Sequence, residues 1–206
     1  LYDKWLEIAR KNVRSGSYFE FNHNMKRIIK EFDTLETVDF GQKPRVGVVG
    51  EILVKYAPTA NNDIVAIIEN EGGEAVVPDL IGFMNYSLFN QIWKADELNM
   101  SQKAKHFAKL GIDAINLLEK PMNKVLEKSE RFEGIESIYD IAEGASKIIS
   151  IGNHTGEGWF LTGEMIELLN NDVKNIVCLQ PFGCLPNHIV GKGMVKELRR
   201  QYKGAN

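Results

Sequence analysis

The sequence predicts a three-layer, mostly parallel, doubly wound α/β sheet carrying a helical insertion and a helical N-terminal brace. Two observations lead there. Residues 44–78 read as strand, helix, strand, each bounded by Pro or Gly. Near the other end, the apolar run Asn175-Ile-Val-Cys-Leu179 precedes a helical pattern. Strands alternating with helices, joined by right-handed crossovers, give parallel sheets covered by helices.

In order, residues 1–33 carry two helical stripes. Trp5, Leu6, Ile8, Ala9 and Val13 form the first; Phe21, Met25, Ile28, Ile29 and Phe32 form the second, with Ser15-Gly-Ser17 breaking them. A polar connector runs to Pro44. Arg45-Val-Gly-Val-Val49 is a short β-branched run of the buried parallel type. Asn61 or Asn62 caps a helix over residues 64–70, ended by Gly72-Gly73, and Glu74-Ala-Val-Val77 is the second strand, closed by Pro78. Residues 86–130 read as helical, with Phe107, Leu110, Ala114, Leu117 and Leu118 facing the core and Pro121 kinking or restarting the helix. Residues 145–151 read as a strand, 159–170 as a helix, 175–179 as a strand and 189–202 as a helix. The expected divisions are a brace over 1–43 and an α/β domain over 44–206.

Bulk properties narrow the function. With 206 residues, 44% hydrophobic and 26% charged, the chain has an ordinary globular composition. A net charge of −3 gives no argument for nucleic acid. No apolar run approaches the roughly 20 residues that span a bilayer, and no signal-peptide pattern is present, so the expectation is a cytoplasmic protein. Two cysteines are too few for a disulfide scaffold. A start at Leu1 without methionine, and a stop after a basic helix where an α/β fold would turn into its next strand, read as a piece of a longer polypeptide.

Open α/β sheets gather chemistry at the carboxyl ends of their strands, and three loops qualify. Residues 50–59 carry Glu51 and Lys55, which can polarise an acyl or phosphate group, or simply pair with each other. Gly152-Asn-His-Thr-Gly-Glu-Gly158 opens a helix, so Gly156 and Gly158 can admit a ligand's close approach and backbone amides can hold an anion, with His154 and Glu157 as the polar actors. A tight turn is the plainer alternative. Neither a Gly-x-Gly-x-x-Gly nor a Walker pattern is present. The third loop is Cys178-Leu-Gln-Pro-Phe-Gly-Cys184-Leu-Pro-Asn-His188. Its Cys-x5-Cys spacing matches neither structural zinc nor a dithiol redox pair. A cluster usually takes four thiolates, so these two need other ligands. Cys184 precedes a helix, whose positive end favours a thiolate. Cys178 lies on the strand, as suited to packing as to ligation. His188 reads equally as a cap or a ligand, and His23 and His106 as helix-surface residues.

Gly156-Glu-Gly-Trp-Phe-Leu-Thr162 and the cysteine loop, together with Lys43-Pro-Arg-Val-Gly-Val-Val-Gly50, resemble the CoA-substrate-specific enzyme activases and activase-related proteins. The similarity runs from Lys43 onward and is to their portion related to 2-hydroxyacyl-CoA dehydratases and double-cubane cluster proteins. The resemblance implies flavodoxin- or Rossmann-like lobes that jointly hold a [4Fe–4S] or double-cubane cluster, with Cys184 matching a ligand and Cys178 a second. It implies low-potential electron transfer, driven by an ATP-hydrolysing activator module of the same polypeptide, to a CoA-thioester. Glu51, Lys55, His154 and Glu157 become candidates for substrate contact or proton handling. The remaining cluster ligands are not in this chain. Two other readings stand beside this one: a non-catalytic docking scaffold for activator and partner, and a small-molecule binder using Cys184 as nucleophile.

Overall fold

The computed structural model describes residues 1–38 and 41–206. Two helices open the chain, α1 (Tyr2–Ser15) and α2 (Tyr18–Asp33). Gly16 closes α1 in the left-handed conformation, and Ser17 Oγ then accepts from Glu20 N at 3.3 Å to start α2. Ser17→Ala removes that cap and is expected to cost about 1 kcal/mol in urea unfolding; an unchanged midpoint would count against the cap's role. The connector expected up to Pro44 includes residues 39 and 40, which lie outside the described residues.

The sheet starts with β1 (Arg45–Gly50), followed by three short helices, α3 (Ile52–Tyr56), α4 (Pro58–Asn61) and α5 (Ile64–Asn70), then β2 (Glu74–Val76). Residues 50–59, expected as an open loop, are therefore mostly helical. Glu51 Oε2 accepts from Val54 N at 2.8 Å, and Pro58 supplies the preset φ of a first helical turn. Asn61 Oδ1 accepts from Ile64 N at 3.2 Å, as the expected cap does.

Next come α6 (Ile81–Glu97), α7 (Gln102–Leu126), α8 (Ile138–Ser146), α9 (Gly158–Asn170) and β3 (Asn175–Leu179). The predicted strand over 145–151 is instead the end of α8 and a turn. Ser137 Oγ accepts from Asp140 N at 3.2 Å and starts a helix that buries Ile138, Ile141, Ala142 and Ala145. The apolar run continued that helical face and had no strand of its own. The stripe expected on α7 is also corrected: Phe107, Leu110, Leu117 and Leu118 are exposed, while Ala108 and Ile112 are buried. Small residues won the inner face because α7 packs closely on α6, where a Cβ added at Gly111 would stand 3.0 Å from Leu88 Cδ1. Pro121 lies inside α7.

The chain ends with α10 (Leu185–Val190), a 3₁₀ turn (Lys192–Met194) and α11 (Val195–Gln201). One continuous helix over 189–202 was expected. Gly191 and Gly193 weaken it there, and Gly191 sits so close beneath the sheet that an added Cβ would lie 3.0 Å from Cys178 Sγ.

All three strands are parallel, in the order β2-β1-β3. The molecule is thus mixed α/β, with a small open parallel sheet and many helices. Central to it is α9, which is apolar nearly all round and packs on β1 and α8. Trp159 and Leu161 are fully buried, and the Trp159 ring meets Tyr86 edge-on at 5.1 Å. The N-terminal helices join through α2 on α7. No helix among the described residues is long and apolar enough to cross a membrane.

Candidate functional site

Because β1 lies between strands reached by crossovers in opposite directions, the carboxyl ends of β1 and β3 flank the sheet's switch point, where open α/β sheets bind ligands. Val49 pairs with Cys178 and Gly50 with Leu179 there. Glu51 N donates to Leu179 O at 2.9 Å. Three predicted site residues meet at this point, together with one that the sequence did not single out.

Glu157 is buried and accepts from Ile52 N at 3.1 Å, placing its carboxylate against the start of α3. Asn187 is fully buried between two chain segments. With its amide oriented to satisfy both, it donates to Glu157 Oε2 at 2.8 Å and accepts from Glu51 N at 3.3 Å. A carboxylate of the chain itself therefore occupies the Ile52 amide after β1. The loops after β1, before α9 and after β3 are tied into one unit by this arrangement.

Glu51 and Lys55 do not pair with each other. Glu51 caps α3, and Lys55 turns inward, where its Nζ donates to Glu164 Oε1 at 2.6 Å with both side chains buried. Burial pushes the Glu164 carboxyl above its usual range, and the Lys55 ammonium opposes that rise.

Gly156 and Gly158 both have positive φ, of 63° and 51°. An added Cβ at Gly158 would lie 2.3 Å from Asn153 O and 2.4 Å from Tyr86 Oη, so the space is filled by the chain. Tyr86 Oη donates to Gly156 O at 2.9 Å, and burial pushes this phenol up to about 12. The Trp159 amide at the start of α9 donates to Asn153 O at 2.6 Å. His154 Nδ1 lies 2.9 Å from Gly152 O, and its ring packs against Trp93 at 5.2 Å.

Both cysteines are partly exposed, in different surroundings. Cys178 packs against the core, and burial, followed by the nearby Glu164 charge, pushes its thiol up to about 11. Cys184 is partly exposed, precedes α10, and its side chain caps no backbone amide. Phe182, Leu185 and Ile189 are exposed apolar neighbours of Cys184 in the chain. A cavity of about 270 Å³, lined by Gly152, Asn153, Thr155, Leu185, Pro186 and Ile189, brings the 152–158 and 184–190 segments together. His188, beyond Cys184, places Nδ1 3.1 Å from Gln180 Nε2.

The sequence reading missed Asn187 and the buried Glu164. A signal existed for the latter: Glu164 and Glu167 are carboxylates inside the otherwise apolar Trp159-Phe-Leu-Thr-Gly-Glu-Met-Ile-Glu-Leu-Leu169, and charges in a buried helix need a reason. Comparison of the chain with protein-family models, curated proteins and solved structures finds no match.

Proposed function

We propose that this chain is the dehydratase-like segment of a CoA-substrate-specific activase-related protein, and that it lends Cys184 to an iron–sulfur centre completed by other parts of the polypeptide. The observation that carries this reading is a partly exposed thiol at the switch-point end of the sheet, in a segment that also exposes Phe182, Leu185 and Ile189. A thiolate there can reach a ligand shared with a second lobe, and the apolar neighbours suit burial against it.

The residues present fit one corner of such a centre. Cys178 is the weaker candidate, since it packs half-buried against the core and burial pushes its thiol up to about 11. Among the described residues, no group of three or more His, Cys, Asp or Glu can hold a metal ion. The flavodoxin-like arrangement of the lobe is part of this proposal, supported by the β2-β1-β3 strand order. When bound, a cluster supplies storage of low-potential electrons for a CoA-thioester, delivered with the help of the ATP-hydrolysing module. Glu157 and Asn187 in this reading hold the switch-point loops rigid beside Cys184.

The test is iron and acid-labile sulfide content of the full-length parent after anaerobic reconstitution. Cys184→Ala is expected to abolish the cluster or halve the iron, and Cys178→Ala to leave it unchanged. No iron in the parent, or equal iron in Cys184→Ala, overturns the proposal and favours a docking scaffold. Rapid alkylation of Cys184 at neutral pH in a parent that takes up no iron favours a thiol nucleophile.

A further inference from the structure

Away from the cysteines, the carboxyl end of β2 opens into a cavity of about 250 Å³. Six carboxylates line it: Asp79, Glu119, Glu133, Glu136, Glu164 and Glu167. Lys55 compensates Glu164, and Arg45 Nη1 approaches Glu133 at 3.7 Å. Among the described residues, no ion pair compensates Asp79, Glu119, Glu136 or Glu167. Burial, reinforced by the neighbouring carboxylates, raises Glu119 and Glu136 and pushes Glu167 up to about 8.

Independent of that charge is Asn85 in the same wall. It is 8% exposed, and its Oδ1 has no hydrogen-bond partner. A buried amide oxygen without a donor costs free energy unless a ligand supplies one. The carboxylates come from the segment after β2, from α7, from the segment before α8 and from α9, and among the described residues no three of them form a group that could hold a metal ion. What matches spread carboxylates plus one orphan acceptor is an organic cation with several N–H groups. Phe160, Val77 and Ile141 supply apolar wall for methylenes between them. A second cavity of about 330 Å³ shares Asn85, Glu119 and Glu136 and is also lined by Glu127, Lys120 and Lys124.

We propose that the cavity at the carboxyl end of β2 binds an aliphatic diamine or polyamine, its ammonium groups meeting Glu119, Glu136 and Glu167 and one N–H donating to Asn85 Oδ1. This site is separate from the proposed cluster, and neither depends on the other. Burial pushes the Glu167 carboxyl up to about 8, so it holds a proton near neutral pH, and an ammonium seated beside it releases that proton.

Titration calorimetry of the intact chain with putrescine and with spermidine, in two buffers of different ionisation enthalpy, tests this. Magnesium and calcium chloride serve as separate probes. The expected result is saturable one-to-one amine binding with proton release. It should weaken at least tenfold in Asn85→Leu and in Glu119→Gln/Glu167→Gln. The double variant preserves shape and decides the matter if circular dichroism shows Asn85→Leu to be unfolded. Absence of saturable amine binding, equal affinity in the folded variants, or tighter binding of either metal than of the amines overturns the proposal.

Discussion

Gly50→Ala is expected to abolish stable folding, or to lower stability by more than about 4 kcal/mol, beyond the ordinary range for single substitutions. Gly50 has φ of 141°, where L side chains rarely go. The added Cβ would fall 1.9 Å from Leu179 O and 2.7 Å from Leu179 N and C. All three obstacles are backbone of the paired strand, so no side chain can rotate away. Relief requires β1 and β3 to separate at their carboxyl ends, which also breaks the 2.9 Å bond from Glu51 N to Leu179 O. Gly183→Ala is the control, since Gly183 also has positive φ but open space around it. It should cost only about 1 kcal/mol. Thermal and urea unfolding of both variants check the contrast, and a Gly50→Ala protein as stable as its control would refute it.

Lys55→Met should produce the second large loss, and one that depends on pH. Removing the ammonium leaves Glu164 buried without its 2.6 Å partner, a situation that costs about 3–5 kcal/mol. The carboxyl can escape by taking a proton, and holding that proton costs about 1.4 kcal/mol for each pH unit above its unfolded pKa. The sign follows: the folded pKa is raised, so the folded state binds the extra proton, and stability falls as pH rises from the unfolded value towards the folded one. The expected loss is about 3–5 kcal/mol at pH 8, shrinking to about 1–2 kcal/mol at pH 5.5. Lys55→Met/Glu164→Leu should recover most of the loss, and its difference from the parent should be similar at the two pH values, because both charges of the pair are gone. Urea titrations at the two pH values decide it; a loss of equal size at both would show that Lys55 acts through packing alone.

Much of the backbone was legible because its signals are local. Ser15-Gly-Ser17 stops one helix and starts the next, Pro44 and Gly50 bracket β1, and Asn61 Oδ1 accepts from the first amide of α5. Residues 145–151 were misread because a short apolar run fits a strand and a helix end equally. Only Ser137, eight positions earlier, decides which it is. On α7, size misled: the largest apolar side chains are outside, because Gly111 and Ala108 permit the close approach to α6. That residues 50–59 and the cysteine loop follow the carboxyl ends of strands was readable from the sequence, whereas their place at the switch point comes from the strand order β2-β1-β3. That Lys55 points inward was not, since its partner Glu164 stands 109 residues away on α9. Asn187 was equally invisible, being polar in a segment whose only conspicuous residues were its cysteines and histidine.

The sheet also sets the tempo of folding. Asn175 Nδ2 donates to Arg45 O at 3.2 Å across 130 residues of sequence, and the β1–β3 ladder continues from there. The helix pairs α1–α2, α6–α7 and α8–α9 each join consecutive helices and can meet early. The two strands must find each other across nearly two-thirds of the chain, after most loop-closure entropy has been lost. Until they do, the sulfur of Cys178 and the unpaired edge of β1 stay open to solvent and to neighbouring chains. The bonds that close the longest loop are thus also the ones that shelter the sheet from aggregation.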